Sequence, residues 1–142
     1  MSQFELDTKA FDRILDEIEK VNGRVDRVIE SVLADAAKQI QADTLEAAQR
    51  PNYPAGGRYS TGETRESIST QTSVDWEGLV ASIPVGFDFS KPGAGGFLIS
   101  GTPMIPPVPA LRRIYRQKAY MAGINKGMQE HAWAILQKLW GN

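Results

Sequence analysis

Nucleophilic and metal chemistry need partners, and the residues that supply them are scarce here: one histidine, His131, and no cysteine in 142 residues. A zinc centre gathers three or four Cys, His, Asp or Glu ligands, and an activated nucleophile needs a neighbouring base. His131 stands between Glu130 and Ala132 inside a helical pattern, so it reads as a solvent-facing or partly packed helix residue. The stretch Gly93-Ala94-Gly95-Gly96 resembles a phosphate-cradling loop in composition alone, because it lacks a GK[ST] ending and is not framed by a preceding strand and a Gly-marked helix. Asp12, Asp16, Glu19, Asp26 and Glu30 follow the polar face of helical segments, with no pair marked out as acid and base. These residues predict a protein that is not an enzyme and uses no cofactor or metal.

What remains is the chemistry of contact. Arg112, Arg113, Arg116 and Lys118 cluster in the first two turns of a predicted last helix, the end at which the helix dipole disfavours cations. Helix stability therefore does not explain them. A solvated face, an ion-pair interface with an acidic helix of a neighbour, and backbone contact with DNA each would. Trp76 falls in a predicted hairpin turn, a poor place for core, and reads as an interface anchor, whereas Trp133 and Trp140 are expected to pack along the last helix.

Charge is spread unevenly. The net charge is −1, which gives no overall case for nucleic acid or anionic lipid as the main ligand. Residues 1–50 hold 11 Asp and Glu against 7 Lys and Arg, and residues 51–142 hold 6 against 9. Opposite signs on the two halves suit self-association in which one subunit's amino half meets a neighbour's carboxyl half. Ordinary solvated charge is the alternative.

The elements that must position these residues follow from periodicity. From Phe11 the apolar residues recur at spacings of three and four through Ile14, Leu15, Ile18, Val21, Val25, Val28, Ile29, Val32, Leu33, Ala36 and Ile40, an amphipathic helical stripe. Asn22-Gly23 is a helix stop and restart, so a short first helix and a longer second one ending near Gln49 are expected. Residues 50–62, with two prolines and three glycines, read as loop. Ser60 and Glu63 form a possible capping box for one helical turn over residues 61–66. The period then changes to two: Ile68, Thr70, Thr72 and Val74 share one strand face, and after a turn at Asp75-Trp76-Glu77-Gly78 a second strand shares Leu79, Ala81, Ile83 and Val85. Pro84 places that second strand at an edge or ends it early.

Residues 86–109 form a second long irregular segment, within which Phe97 to Ser100 could add a short strand or turn. A helix opens at Pro109 and runs through Leu111, Ile114, Tyr115, Met121 or Ala122, Met128, Ala132, Ile135, Leu136 and Leu139 towards Gly141. Gly123 and Gly127, four apart on one face, would let another helix approach closely or would simply weaken the helix. The expected fold is a single α+β domain over residues 1–142: two N-terminal helices, a central antiparallel hairpin or small sheet with long loops, and a long C-terminal helix. No run approaches the ~18 apolar residues of a membrane span and the start lacks the pattern of a secretion signal, so a soluble chain is expected. Two long loops rich in glycine and proline suggest a part that becomes ordered against neighbours.

Two motifs and their order carry a family resemblance. Thr61-Gly62-Glu63-Thr64-Arg65-Glu66-Ser67-Ile68 precedes the hairpin, and Phe97 to Ser100 leads through Gly101-Thr102 and a proline-rich link to Pro109-Ala110-Leu111-Arg112-Arg113-Ile114. In this order, over about residues 11–139, the chain resembles the small tail-completion, or head-tail joining, proteins of long-tailed bacteriophages and prophages, the group typified by gene product ten of phage Hong Kong ninety-seven. It departs from them at Ser100, where an acidic residue often precedes the Gly-Thr, and in a longer link before the Thr-Gly pattern. The resemblance implies a virion protein of the tail or neck, made in the bacterial host cytoplasm and assembled as a homohexameric ring. Its partners would be the connector or head-closure protein and the tail tube or tail terminator protein, with non-specific contact to passing DNA and no membrane. A tail terminator ring, or a small DNA-binding module using the basic start of the last helix, is the alternative. Interface candidates are Tyr59, Thr61, Gly62, Arg65, Trp76, Phe97, Gly101, Thr102, Arg112, Arg113 and Arg116.

Overall fold

A computed structural model of the chain describes residues 4–21, 23–48, 67–78, 80–87, 99 and 108–141. The amphipathic stripe folds as read, into α1 (Asp12–Lys20) and α2 (Val25–Ala47). The Gly23 N–H reaches back to the carbonyl of Ile18 at 2.8 Å, a bond that closes off the last carbonyls of α1. No side chain other than hydrogen fits there: a Cβ on Gly23 would overlap the Ile18 side chain and stand 3.0 Å from the Ile18 carbonyl oxygen. The second helix buries Val28, Ile29, Val32, Leu33, Ala36, Ala37, Ile40, Thr44 and Ala47, steps of three and four that keep one face turned inward over a length of about 35 Å.

A short strand not expected from the sequence, β1 (Phe4–Leu6), precedes α1 by way of a single 3-10 turn at Lys9–Phe11. It joins β2 (Asp75–Glu77) and β3 (Val80–Val85) in a three-stranded antiparallel sheet of order β1-β3-β2. Leu6, Ala81, Ile83 and Val85 are buried, and β3 packs on α2. Pro84 therefore sits in the middle strand, yet β2 pairs only with Val80 to Ser82 and β1 only with Ile83 to Val85. At Pro84 the ladder is one-sided, which is where a residue without an N–H is tolerated.

The first strand of the hairpin differs from expectation. Residues 69–74 are not in the ladder; Ile68 makes only an isolated bridge to Phe87, and the strand is Asp75–Glu77, the stretch expected to turn. Gly78, at φ 64°, makes the reversal tight enough for Glu77 to pair with Val80. The polar run before it is occupied elsewhere: Gln41 Nε2 donates to the Gln71 carbonyl at 2.7 Å, and Gln71 Nε2 donates to the Ser73 carbonyl and to Asp75 Oδ2. Local side-chain bonds of this kind compete with a ladder.

The last helix is two. Pro109 opens α3 (Pro109–Arg116), Gln117 is extended at φ −107° and ψ 131°, and α4 runs from Lys118 to Gly141. Leu111 and Ile114 on α3, with Ile124, Met128, Ala132 and Leu136 on α4, complete one core shared with α2 and the sheet. The irregular segments also contribute to it, since Ile68, Phe87, Ile99 and Val108 are buried. The expected loop at 50–62, the helical turn at 61–66 and most of 86–109 lie outside the described residues.

Candidate functional site

The described interface candidates fall in two places. Trp76 stands opposite Ala81 in the ladder, hence on the face of the sheet that α2 covers. Its indole N–H donates to Glu30 Oε1 at 3.2 Å, and the residue remains 40% exposed. Beside it an open hollow of about 850 Å³ is lined by Arg24, Arg27, Glu30, Thr72 and Val74. An indole flanked by arginines and carboxylates offers area, hydrogen bonds and charge of both signs, which is the equipment of an interface rather than of a reaction.

The second place is α3. Arg112, Arg113, Arg116 and Lys118 are all exposed. The break at Gln117 corrects the electrostatic reading, because Arg113 and Arg116 occupy the last turn of α3, where the dipole favours cations. Arg112, within the first four residues of α3, and Lys118, the first residue of α4, keep the unfavourable placement. The helix is held to α2 by two tyrosines on either side of the break. Thr44 Oγ1 gives its proton to the Ile40 carbonyl at 2.7 Å, so the Tyr115 hydroxyl, 2.6 Å away, donates to Thr44. The Tyr120 hydroxyl donates to Asp43 Oδ2 at 2.5 Å. Desolvation pushes the Tyr115 phenol up to about 12, and desolvation, with the Asp43 carboxylate next, pushes Tyr120 up as well.

Trp76 and α3 are not brought together. Trp76 is fixed at Glu30 and α3 at Thr44, 14 positions apart on α2 or about 21 Å along its axis. Tyr59, Thr61, Gly62, Arg65, Phe97, Gly101 and Thr102 lie outside the described residues.

Comparison with protein-family models, with curated proteins and with solved structures gives no match. Function must therefore be read from the surface of this chain.

That surface holds an aromatic pair that sequence reading placed in the packing. Trp133 and Trp140 meet edge to face with ring centroids 5.4 Å apart and are largely exposed at 42% and 51%. Their spacing of seven, two helical turns, was the available signal for a shared face. Val80, 65% exposed, adds an apolar side chain on the opposite face of the sheet from Ala81. The glycines at 123 and 127 are exposed, and among the described residues a Cβ on either would meet nothing within 4 Å, so none of the described helices approaches there. His131 is partly packed, with Nδ1 3.5 Å from Asp35 Oδ2, beside a small hollow of about 100 Å³ that Met128 and Ile124 also line. Among the described residues no group of three or more His, Cys, Asp or Glu could hold a metal ion, and no helix is long and apolar enough to cross a membrane.

Proposed function

We propose that this chain is a non-enzymatic structural protein of the neck of a long-tailed bacteriophage or prophage, assembling with copies of itself as a hexameric ring between the connector and the tail tube. The observation that carries this reading is the surface. Phe11, Ile18, Leu33, Ile40, Ile83 and Leu136 are fully buried in one core, yet Trp76, Val80, Trp133 and Trp140 stand exposed on three different elements. Exposed aromatics in a chain with a closed core suit contact with other protein, since tryptophans dominate interface centres. After the added strand β1, the order of two helices, the β2-β3 hairpin and then the C-terminal helices is in keeping with the resemblance read from residues 61–68 and 97–114.

Native mass spectrometry and negative-stain imaging of the full chain, alone and with its connector or tail partner, test the proposal. Closed rings are expected, and monomers only in assembled particles would overturn it. A terminator ring differs in the partner it captures. The exposed arginines of α3 favour a second reading, a DNA contact, which predicts salt-sensitive duplex binding by the monomer that is lost when Arg112, Arg113, Arg116 and Lys118 become Ala.

A further inference from the structure

We infer that the ring's subunit contact is heterologous and electrostatic: the exposed basic face of α3 and the start of α4 on one copy docks into an acidic hollow between α1 and α2 of the next. This rests on the ring reading and names its contact. The hollow, of about 830 Å³, is rimmed by Asp12, Asp16, Glu19 and Asp26 over an apolar floor that includes Leu15 and Ile29. Among the described residues, Arg24 is the one cation in its lining. It is already engaged 3.5 Å from Asp26, whose carboxyl it holds below the usual range.

Local helix electrostatics explains only part of this arrangement. Asp12 and Asp26 are in first turns, where the dipole favours anions. Asp16 and Glu19 share the face of Asp12 at steps of four and three, and Glu19 lies in the last turn, where an anion is disfavoured. Arg112 and Lys118 are the mirror case, cations at helix beginnings. The chain thus maintains misplaced charge of opposite sign at two sites. Those sites sit at opposite ends of α2, one at Asp26 and the other at Thr44, about 27 Å apart along the helix. That exceeds a Debye length of about 10 Å at 0.1 M salt, so the patches do not neutralise one another within one chain. A second copy displaced along α2 brings them together. The two surfaces differ, so each copy keeps one unused patch until a ring closes.

The absence of native cysteine permits a direct test. The full chain carrying Glu19→Cys is mixed with one carrying Arg112→Cys under mild oxidation, and a chain carrying both is oxidised alone. The expected results are a cross-linked dimer from the mixture and a ladder from the double variant. In parallel, Asp16→Lys with Glu19→Lys, and separately Arg112→Glu with Lys118→Glu, should each weaken self-association at least tenfold in sedimentation velocity at low salt. All four changes in one chain should restore it. Oligomers that survive both reversals without cross-linking overturn this contact and leave the ring reading standing. A wild-type chain that stays monomeric alone and with its partner overturns both.

Discussion

Tyr120 donates its hydroxyl proton to Asp43 at 2.5 Å, one residue along α2 from Thr44, which receives Tyr115. Two tyrosines five apart would point about 140° away from each other on a continuous helix. The extended residue at Gln117 rephases the chain so that both reach the same end of α2. The kink therefore lets both phenols reach α2, which a continuous helix would not.

Removing these hydroxyls should loosen the kink without opening the core. Tyr115→Phe is expected to cost about 1 kcal/mol, because Thr44 keeps its bond to the Ile40 carbonyl. Tyr120→Phe should cost somewhat more, about 1 to 2 kcal/mol, since its acceptor is a carboxylate. Urea unfolding of each variant gives the values, and additivity of the double variant reports whether the two bonds act independently.

Alkali should act through the same pair. Both phenols have folded values raised above the unfolded value of 10.0, Tyr115 to about 12. An acid whose folded value is raised contributes stability that is complete below the unfolded value and lost as pH rises towards the folded one. Thermal midpoints of the wild type should begin an additional fall near pH 10, with the Tyr115 share complete by about pH 12 and the Tyr120 share continuing beyond it. The variant with both tyrosines replaced by Phe should lack that component, and parallel curves for the two proteins would contradict it.

Gly23→Ala should destabilise the chain by about 1 to 3 kcal/mol, the usual range for forcing volume into a packed site. The new methyl would meet the Ile18 side chain and, 2.9 Å away, Leu139 Cδ1. Leu139 can shift, but the Ile18 carbonyl at 3.0 Å belongs to the helix backbone. Leu139→Ala in the same chain should therefore recover only part of the loss, as read by differential scanning calorimetry.

Trp133→Ala and Trp140→Ala separate packing from contact. Each removes an edge-to-face pair at the surface, for which a loss of about 0.5 to 1.5 kcal/mol in monomer stability is expected. If the pair is covered on assembly, its fluorescence should shift to the blue with rising protein concentration, and either variant should shift less and associate more weakly. Unchanged association would remove the pair from the interface.

Much of the fold was legible because helices write their period plainly. The stripe from Phe11 to Ile40 needs no tertiary information, and Pro109 announces its helix. The uncertain choice between Met121 and Ala122 was the trace of a phase slip: Gln117 interrupts the helix, and the apolar spacing had already lost count. The hairpin was harder to read, since serine, threonine and glutamine alternate as a strand would while bonding to their own backbone and to Gln41. β1 left almost no signal, because three residues carry no period. Trp133 and Trp140 were misplaced for a simpler reason, as bulk and hydrophobicity usually mean burial and only a count of the remaining surface shows otherwise. The interface candidates split likewise: Trp76 and the arginines of α3 are exposed as an interface requires, but at separate ends of α2.

The pairing of Phe4 with Val85 sets an order of events during synthesis. While the ribosome is still making the middle of the chain, α1 and α2 can already form from local contacts, with Ile18 and Leu33 available to meet. The strand at Phe4–Leu6 has no partner until Val85 has left the exit tunnel, and distant pairings of this kind are slow to form. For that interval the nascent chain carries an open strand edge beside an uncovered helix face. That is the stage at which a chaperone, or a wrong pairing with another nascent copy, would find it most exposed.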